Sequence, residues 1–188
     1  MQFNSKELIE ELITITEQAA DAARKFKNLT TEQLNYRPAP GKWSILECFE
    51  HLNLYGDFYL PEIEKSILAQ QNKTYSPVFK SGIMGNYFAN LMRPKQGQIK
   101  KMGTPKDKNP IHAELSVTVI DRFIKQQERM ISLLRMARVV DLTRTKTAIS
   151  LTKLLKLRLG DTFRFVIYHV ERHILQAENV LTTQRLAA

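Results

Sequence analysis

Apolar residues recur along this chain mainly at the spacing of an amphipathic helix. Between Leu8 and Phe26 they return every three or four residues, with charged and polar residues between them, so one face of the segment is apolar. Just before this stretch, Asn4 and Glu7 have the form of a capping box. The pattern predicts a first helix over 4–28.

Three further long helices are predicted in the same way. Ser44 and Glu47 repeat the capping-box pattern, and Pro61 is expected to kink the helix that they start. An Asn-Pro pair and a Gly-Asp pair mark the next two starts. The predicted spans are 44–70 for the second helix, 109 onward for the third and 160–182 for the fourth.

The connections between these helices predict the topology. Residues 76–108 separate the second helix from the third, which is far longer than an ordinary loop in a helical bundle. A long crossover lets the two helices that it joins run parallel, and a short helix over 84–92 is predicted within it. Strand signals are few, with no Asn-Gly or Asp-Gly turn. We therefore predict an all-α fold, a four-helix bundle with a long crossover between helices two and three.

Length and composition narrow the class of protein. The chain has 188 residues and one cysteine. This length fits a single domain over 1–188, and the lone Cys48 is interpreted as a small core residue. Glutamates in segment 1–23 exclude the apolar core of a secretory signal, and no apolar run approaches the roughly 20 residues that span a bilayer. We expect a cytoplasmic protein with no membrane partner.

Three of the four histidines occupy inward faces of the predicted helices. His169 and His173 are four residues apart, so their imidazoles lie one above the other on one face. His51 shares its face with Cys48 and Tyr55. Two interpretations stay open from spacing alone: three ligands of one metal ion, or histidines that are hydrogen-bonded within the core.

Longer sequence patterns surround these histidines. They are Lys42-Trp43-Ser44-Ile45-Leu46-Glu47 with His51-Leu52, and Leu159-Gly160-Asp161 with His169, Arg172-His173 and Gln176. In this order they resemble the paired signatures of the DinB/YfiT-like metalloprotein superfamily, and the resemblance spans nearly the whole chain. It implies a four-helix bundle that holds a divalent ion, often zinc or nickel, through the three histidines. Members include thiol-dependent transferases and isomerases, hydrolases, and proteins with no known activity.

The chemistry of such a site leaves three functions open. Three neutral imidazoles leave the 2+ charge uncompensated and at least one coordination position free, as in catalytic zinc sites. That position can activate a thiol, giving a transferase or isomerase, or water, giving a hydrolase. The third alternative is a non-catalytic metal-binding or stress-response protein. Mostly nitrogen ligands argue against calcium and magnesium.

Two polar residues are candidates for a supporting role around the metal. Glu47 lies one turn before His51, where it could orient the imidazole or act as a base on bound water; alternatively it only closes the capping box with Ser44. Gln176 lies one turn after His173, where it could hydrogen-bond a metal-bound ligand or satisfy the bundle core. His112, at a predicted helix start, is expected at the surface.

A formal net charge of +9 requires its own explanation. The positive charge could bind nucleic acid, could attract an anionic small molecule, or could belong to a solvated surface without a partner. Aromatic residues interleaved with the charges are absent, which argues against nucleic acid. We expect a small-molecule substrate, for which an anionic thiol suits both charge and metal, and a homodimer stays open. The basic residues cluster in segments 93–108 and 144–158: Arg93, Lys95, Lys100, Lys101, Lys106, Lys108, Arg144, Lys146, Lys153, Lys156 and Arg158.

Overall fold

Helices dominate the computed structural model, which describes residues 1–70, 75–95, 98–99, 102–150 and 152–187. This confirms the prediction of a mainly helical fold. None of the helices in these residues combines the length and the hydropathy needed to cross a bilayer. In chain order they are α1 (Ser5–Phe26), α2 (Thr31–Asn35), α3 (Ile45–Leu68), α4 (Ile83–Met92), α5 (Thr118–Ala137) and α6 (Leu159–Ala187).

Side-chain caps start α1 and α3 where the sequence predicted the first and second long helices. The Oδ1 of Asn4 accepts hydrogen bonds from the backbone N–H groups of Lys6 and Glu7, which otherwise lack partners within the helix. Ser44 and Glu47 form a complete capping box at the start of α3. The short helix predicted over 84–92 is confirmed as α4.

The predicted start of the third long helix at Asn109 is wrong. Helix α5 begins at Thr118, because the preceding residues form a turn that is tied to other parts of the chain. Asn109 Oδ1 accepts from the indole Nε1 of Trp43 and from the backbone N–H of Ile111. His112 has a φ of 65°, a left-handed conformation that cannot continue an α-helix.

Two pairs of short antiparallel strands correct the prediction of an entirely helical chain. Strand β1 (Gln2–Asn4) pairs with β2 (Val78–Lys80), and β3 (Lys146–Ile149) pairs with β4 (Thr152–Arg158). The β3–β4 sequence has no hairpin turn signal and is rich in residues that also suit helices. Burial in the folded protein favours strands here instead. Thr147 pairs with Leu157 across the two strands, and both residues are buried. Strand β3 also contacts α3 and α6.

The four long helices are connected by contacts and ion pairs. Both α1 and α3 pack against α5 and α6, and α4 packs along α6. On the surface between α3 and α5, Arg122 contacts Glu50 and Asp57, and Arg129 contacts Glu64. These ion pairs join the exposed faces of α3 and α5.

The interior consists of two apolar clusters. In α3 the division between them falls between Leu52 and Tyr55, and in α6 it falls between Tyr168 and Val170. His169 lies at this division, and His51 and His173 lie within about one helical turn of it. The fold thus places polar side chains of two adjacent helices at the junction of the apolar clusters.

Candidate metal centre

Three imidazoles from two helices converge at one point inside the protein. The Nε2 of His169 lies 3.2 Å from the Nε2 of His51 and 3.0 Å from the Nε2 of His173. One nitrogen of each ring lies within 4.8 Å of those of the other two, and all three residues are buried. The prediction that these histidines lie together is confirmed.

Hydrogen bonds to the outer ring nitrogens set the tautomers. The Nδ1 of His51 lies 2.6 Å from the carbonyl oxygen of Lys108, and the Nδ1 of His173 lies 2.9 Å from Oε1 of Gln176. Both oxygens only accept, so each Nδ1 carries the proton and each Nε2 presents a lone pair to the centre. Such outer partners are typical of histidines that bind metals. Gln176 therefore contacts His173 itself, and the hydrogen bond from Gln176 to a metal-bound ligand stays a prediction.

This donor set fits a divalent cation. Three Nε2 atoms that face one another satisfy each other poorly, because at most one can donate while the other two keep their lone pairs at the centre. A cation at the centre would accept all three lone pairs. The chemistry of the donors, rather than their number alone, therefore favours a metal.

Burial keeps the three imidazoles neutral. It lowers the pKa of His51 to about 4, although the hydrogen bond to Lys108 partly opposes this shift. Burial also places the pKa values of His169 and His173 well below the ordinary value for histidine, and the neighbouring imidazoles and Arg172 add to the effect. Each imidazole is thus neutral at neutral pH and keeps one nitrogen without a proton, as metal binding requires.

Aromatic side chains form the walls around the imidazoles. The ring of Trp43 lies 4.6 Å from that of His51 and 5.7 Å from that of His173, centroid to centroid. On the other side, the ring of Tyr55 lies 4.6 Å from that of His169. Burial raises the pKa of Tyr55 to about 12, so its hydroxyl keeps its proton at neutral pH. These rings restrict the imidazoles to their converging orientations.

The structure does not support a role for Glu47 in orienting His51. Its carboxylate accepts from the backbone N–H of Ser44, from the guanidinium of Arg37 and from the backbone N–H of His112. Burial opposes its ionisation, but these hydrogen bonds outweigh burial and hold the pKa of Glu47 below its usual value. The structure shows the capping-box alternative. The partner of His51 is the backbone carbonyl of Lys108 rather than Glu47.

Two residues of the site were missed as such in the sequence. Lys108 was noted only for its charge, yet its carbonyl contacts His51 and its Nζ donates to the carbonyl of Leu54 at 3.1 Å. Arg172 was noted only within the sequence pattern, yet it is buried and lines the cleft beside the histidines. A backbone carbonyl leaves no trace in the sequence, whereas an arginine next to an inward histidine could have been noticed. His112 is exposed, as expected.

A cleft of about 650 Å³ opens onto the three histidines. Among the described residues that line it, Lys42 and Arg172 are cationic and none is a carboxylate. Burial lowers the pKa of Arg172. The charged side chains among the described lining residues are therefore both cationic. Of the basic residues noted above, Lys100, Lys101 and the side chain of Lys153 lie outside the described residues.

Comparison with known proteins identifies a family. No curated protein and no solved structure matches this chain. A family model does match, that of the DinB superfamily, and the match covers residues 14–177. The matched region includes all three histidines and Gln176.

Proposed function

Because the chain belongs to the DinB superfamily, we propose that it is a divalent-metal-dependent enzyme acting with a thiol cosubstrate. His51, His169 and His173 would hold the ion, with zinc or nickel as the metals that suit three imidazoles. The observation that carries the proposal is the convergence of three buried, neutral Nε2 atoms on the cleft. An ion held there would lower the pKa of a thiol in its open position and supply a nucleophile at neutral pH.

The ligand count supports a catalytic rather than a structural centre. Within the described residues, the group that could hold an ion consists of three histidines with no fourth side chain. Cys48, the only cysteine, is buried, and burial together with the charge of Glu47 raises its pKa. A structural zinc site normally has four protein ligands, whereas a catalytic site has three and an open position.

The charge of the cleft supports an anionic thiol. Arg172 and Lys42 line it, and both favour a carboxylate of the substrate. Tyr55 keeps its proton and faces the same cleft, so its hydroxyl can donate a hydrogen bond to a substrate oxygen. These residues would bind and orient the thiol without taking part in proton abstraction.

Hydrolysis is the alternative that the same three histidines would support. A bound ion would also lower the pKa of water, and a nearby general base would assist the attack of that water; Glu47 was the candidate for that role. Its carboxylate is occupied by Arg37, Ser44 and the backbone of His112. Thiol chemistry, which does not need this base, therefore ranks above hydrolysis and above a purely non-catalytic role.

For the fold, the proposal includes a four-helix bundle of α1, α3, α5 and α6 in which the crossover makes α3 and α5 parallel. The pairs of Arg122 with Glu50 and of Arg129 with Glu64 support this orientation, because residue numbers rise together on the two helices. Such a bundle would place α3 beside α6, where their histidines meet.

Metal analysis and cobalt substitution test the proposed function. Purified protein should contain about one divalent ion per chain, and cobalt-substituted protein should develop a sulfur-to-cobalt absorption band when titrated with glutathione, which carries carboxylates and a thiol. S-methylglutathione, which lacks the thiol, should give no band, and the cationic thiol cysteamine should need a higher concentration. Absence of metal, or a band that cysteamine produces as readily as glutathione, would contradict the proposal.

A further inference from the structure

The outer face of the β3–β4 pair carries several cations. Lys146 pairs with Arg158 across the two strands. Two residues further along each strand, Ala148 pairs with Lys156, so all four side chains lie on one face of the pair. Lys146 and Lys156 are exposed. Like charges directly opposite each other destabilise a strand pair, and an anionic partner would relieve that repulsion.

Lys80 of β2 adds a fourth cation to this surface. The guanidinium of Arg158 donates to the backbone carbonyl of Lys80, and Lys80 is exposed. Within the described part of the chain, none of the four cations forms an ion pair. The carboxylates of Asp141 and Asp161, in adjoining segments, pair with other arginines. We define the basic face as Lys80, Lys146, Lys156 and Arg158.

Exposed apolar side chains begin next to the basic face. Side-chain atoms of Arg158 lie 3.6 Å and 3.8 Å from the place that a Cβ on Gly82 would occupy, and Gly82 is the N-cap residue of α4. Ile83 follows it and is 94% exposed. Met84 and Tyr87 are exposed on the same helix. We define the apolar edge as Ile83, Met84 and Tyr87.

We propose that the basic face and the apolar edge together bind the surface of a membrane that contains anionic lipids. The cations would contact the phosphates of the headgroups. Ile83 and Met84 would enter the boundary between headgroups and acyl chains, where the amphipathic ring of Tyr87 is also favoured. We expected no membrane partner because no apolar run could span a bilayer, but a protein that lies on the surface needs no such run. The proposal does not depend on the function proposed above.

Two other partners fit these residues less well. Nucleic acid offers phosphates to the basic face, but the aliphatic side chains of Ile83 and Met84 cannot stack on bases as aromatic rings do. A second copy of this chain, bound symmetrically through the same surface, would bring like charges against one another. An anionic membrane accommodates both the cations and the apolar side chains.

Co-sedimentation with lipid vesicles tests the proposal on the full chain, both zinc-loaded and metal-free. Vesicles that mix phosphatidylglycerol with phosphatidylcholine should bind both forms of the protein. Vesicles of phosphatidylcholine alone should bind at least about tenfold more weakly, because several cations lose their anionic partners. Added salt should weaken binding to the mixed vesicles.

Substitution of one cation tests the basic face. Lys156→Gln should weaken binding to the mixed vesicles about fivefold, as expected for one charge at an anionic surface. Lys25→Gln is the matched control and should leave binding unchanged. Lys25 is also exposed, but it lies in the last turn of α1, whereas β1, which pairs with the strand of Lys80, lies before the first turn.

Substitution of one apolar side chain tests the apolar edge. Ile83→Ser should weaken binding about fivefold, because less apolar area would leave water. Leu186→Ser is the matched control and should leave binding unchanged. Leu186 is 85% exposed, but it lies near the other end of α6, about 40 Å from Leu159.

Several outcomes would overturn the proposal. Equal binding to both kinds of vesicle, or equal weakening by a variant and its control, would contradict the assignment of these residues. Failure to bind the mixed vesicles would leave an acidic protein as the partner of the basic face. Binding of double-stranded DNA in place of vesicles, weakened by Lys156→Gln but not by Ile83→Ser, would assign the basic face to nucleic acid.

Discussion

His51 donates its Nδ1 proton to the carbonyl oxygen of Lys108, across a distance of 2.6 Å between nitrogen and oxygen. This hydrogen bond connects the segment before α5 to the candidate metal centre. Because the acceptor belongs to the backbone, the tautomer of His51 depends on the path of the chain rather than on the side chain at position 108. The segment between α4 and α5 therefore does more than connect two helices: it fixes which nitrogen of His51 faces the other imidazoles.

Replacing His169 by alanine should abolish metal binding and leave a folded protein. His169 Nε2 is the atom that both other histidines approach, and a core of this size does not need an ion to fold. Metal content and far-ultraviolet circular dichroism of the purified variant measure the two effects. The exposed His112 supplies the control, since His112→Ala should keep its metal. Complete unfolding of the His169 variant together with metal loss would indicate a structural ion instead.

The metal-free protein should lose stability as the pH falls from about 6.5 to about 4. The pKa of His51 is lowered from 6.5 to about 4 in the folded protein, so the unfolded chain takes up its proton first and unfolding becomes easier over this range. The stability contribution is present above pH 6.5 and amounts to about 3 kcal/mol. Urea denaturation at several pH values measures it, and His51→Gln should make the profile less steep, while His169 and His173, whose pKa values are also lowered, keep the rest of the pH dependence. An unchanged profile in that variant would contradict the assignment.

Glu47→Gln should destabilise the protein by about 2 kcal/mol at neutral pH, because a neutral amide cannot replace the charged acceptor of Arg37 and two backbone N–H groups. The pKa of Glu47 is lowered in the folded state, so the difference from the natural protein should shrink as the pH drops below the ordinary value of 4.5. Urea denaturation at neutral and acidic pH measures both effects.

Glu64→Gln is the matched control for that substitution. Glu64 pairs with Arg129, but both side chains are more than a third exposed, and exposed ion pairs contribute at most about 1 kcal/mol. The Glu47 variant should also keep its metal, since its carboxylate contacts Arg37 rather than His51. Loss of metal from a folded Glu47→Gln protein would restore the role in orienting His51.

Gly85→Ala should destabilise the protein although alanine favours helices. A Cβ at Gly85 would overlap the carboxylate of Asp161, which is buried and paired with Arg164 and therefore has little freedom to move. Overpacking costs about 1 to 3 kcal/mol, more than the gain of about 1 kcal/mol in helix propensity. A Cβ at Gly103 would meet no atom within 4 Å, so Gly103→Ala is the control and should change the urea midpoint little. Equal effects at both positions would contradict the predicted overlap.

The helices could be predicted where local signals and tertiary contacts agree. Ser44 and Glu47 start α3 because their capping box works within the chain itself. Asn109 misled the prediction, because its side chain binds Trp43 from a distant segment instead of starting a helix. The β3–β4 pair escaped prediction for a related reason: Thr147 gains its strand environment from burial against other helices.

The site could be predicted as far as it depends on side chains at helical spacing. His169 and His173 share a face by their spacing alone, and the inward face of His51 completed the set. The groups that hydrogen-bond the outer nitrogens of these histidines were harder to predict. Gln176 follows the helical spacing, whereas the Lys108 carbonyl depends on the course of the crossover, and Glu47 has a closer partner in Arg37.

Trp43 gives the candidate metal centre an internal fluorescent reporter. It is the only tryptophan in the chain, and its indole lies within 6 Å of two of the three imidazoles, measured between ring centroids. The tryptophan fluorescence of the protein therefore comes from this one indole beside the histidines. Quenching by nickel or cobalt, which have partly filled d shells, would follow occupancy of the centre directly in unlabelled protein.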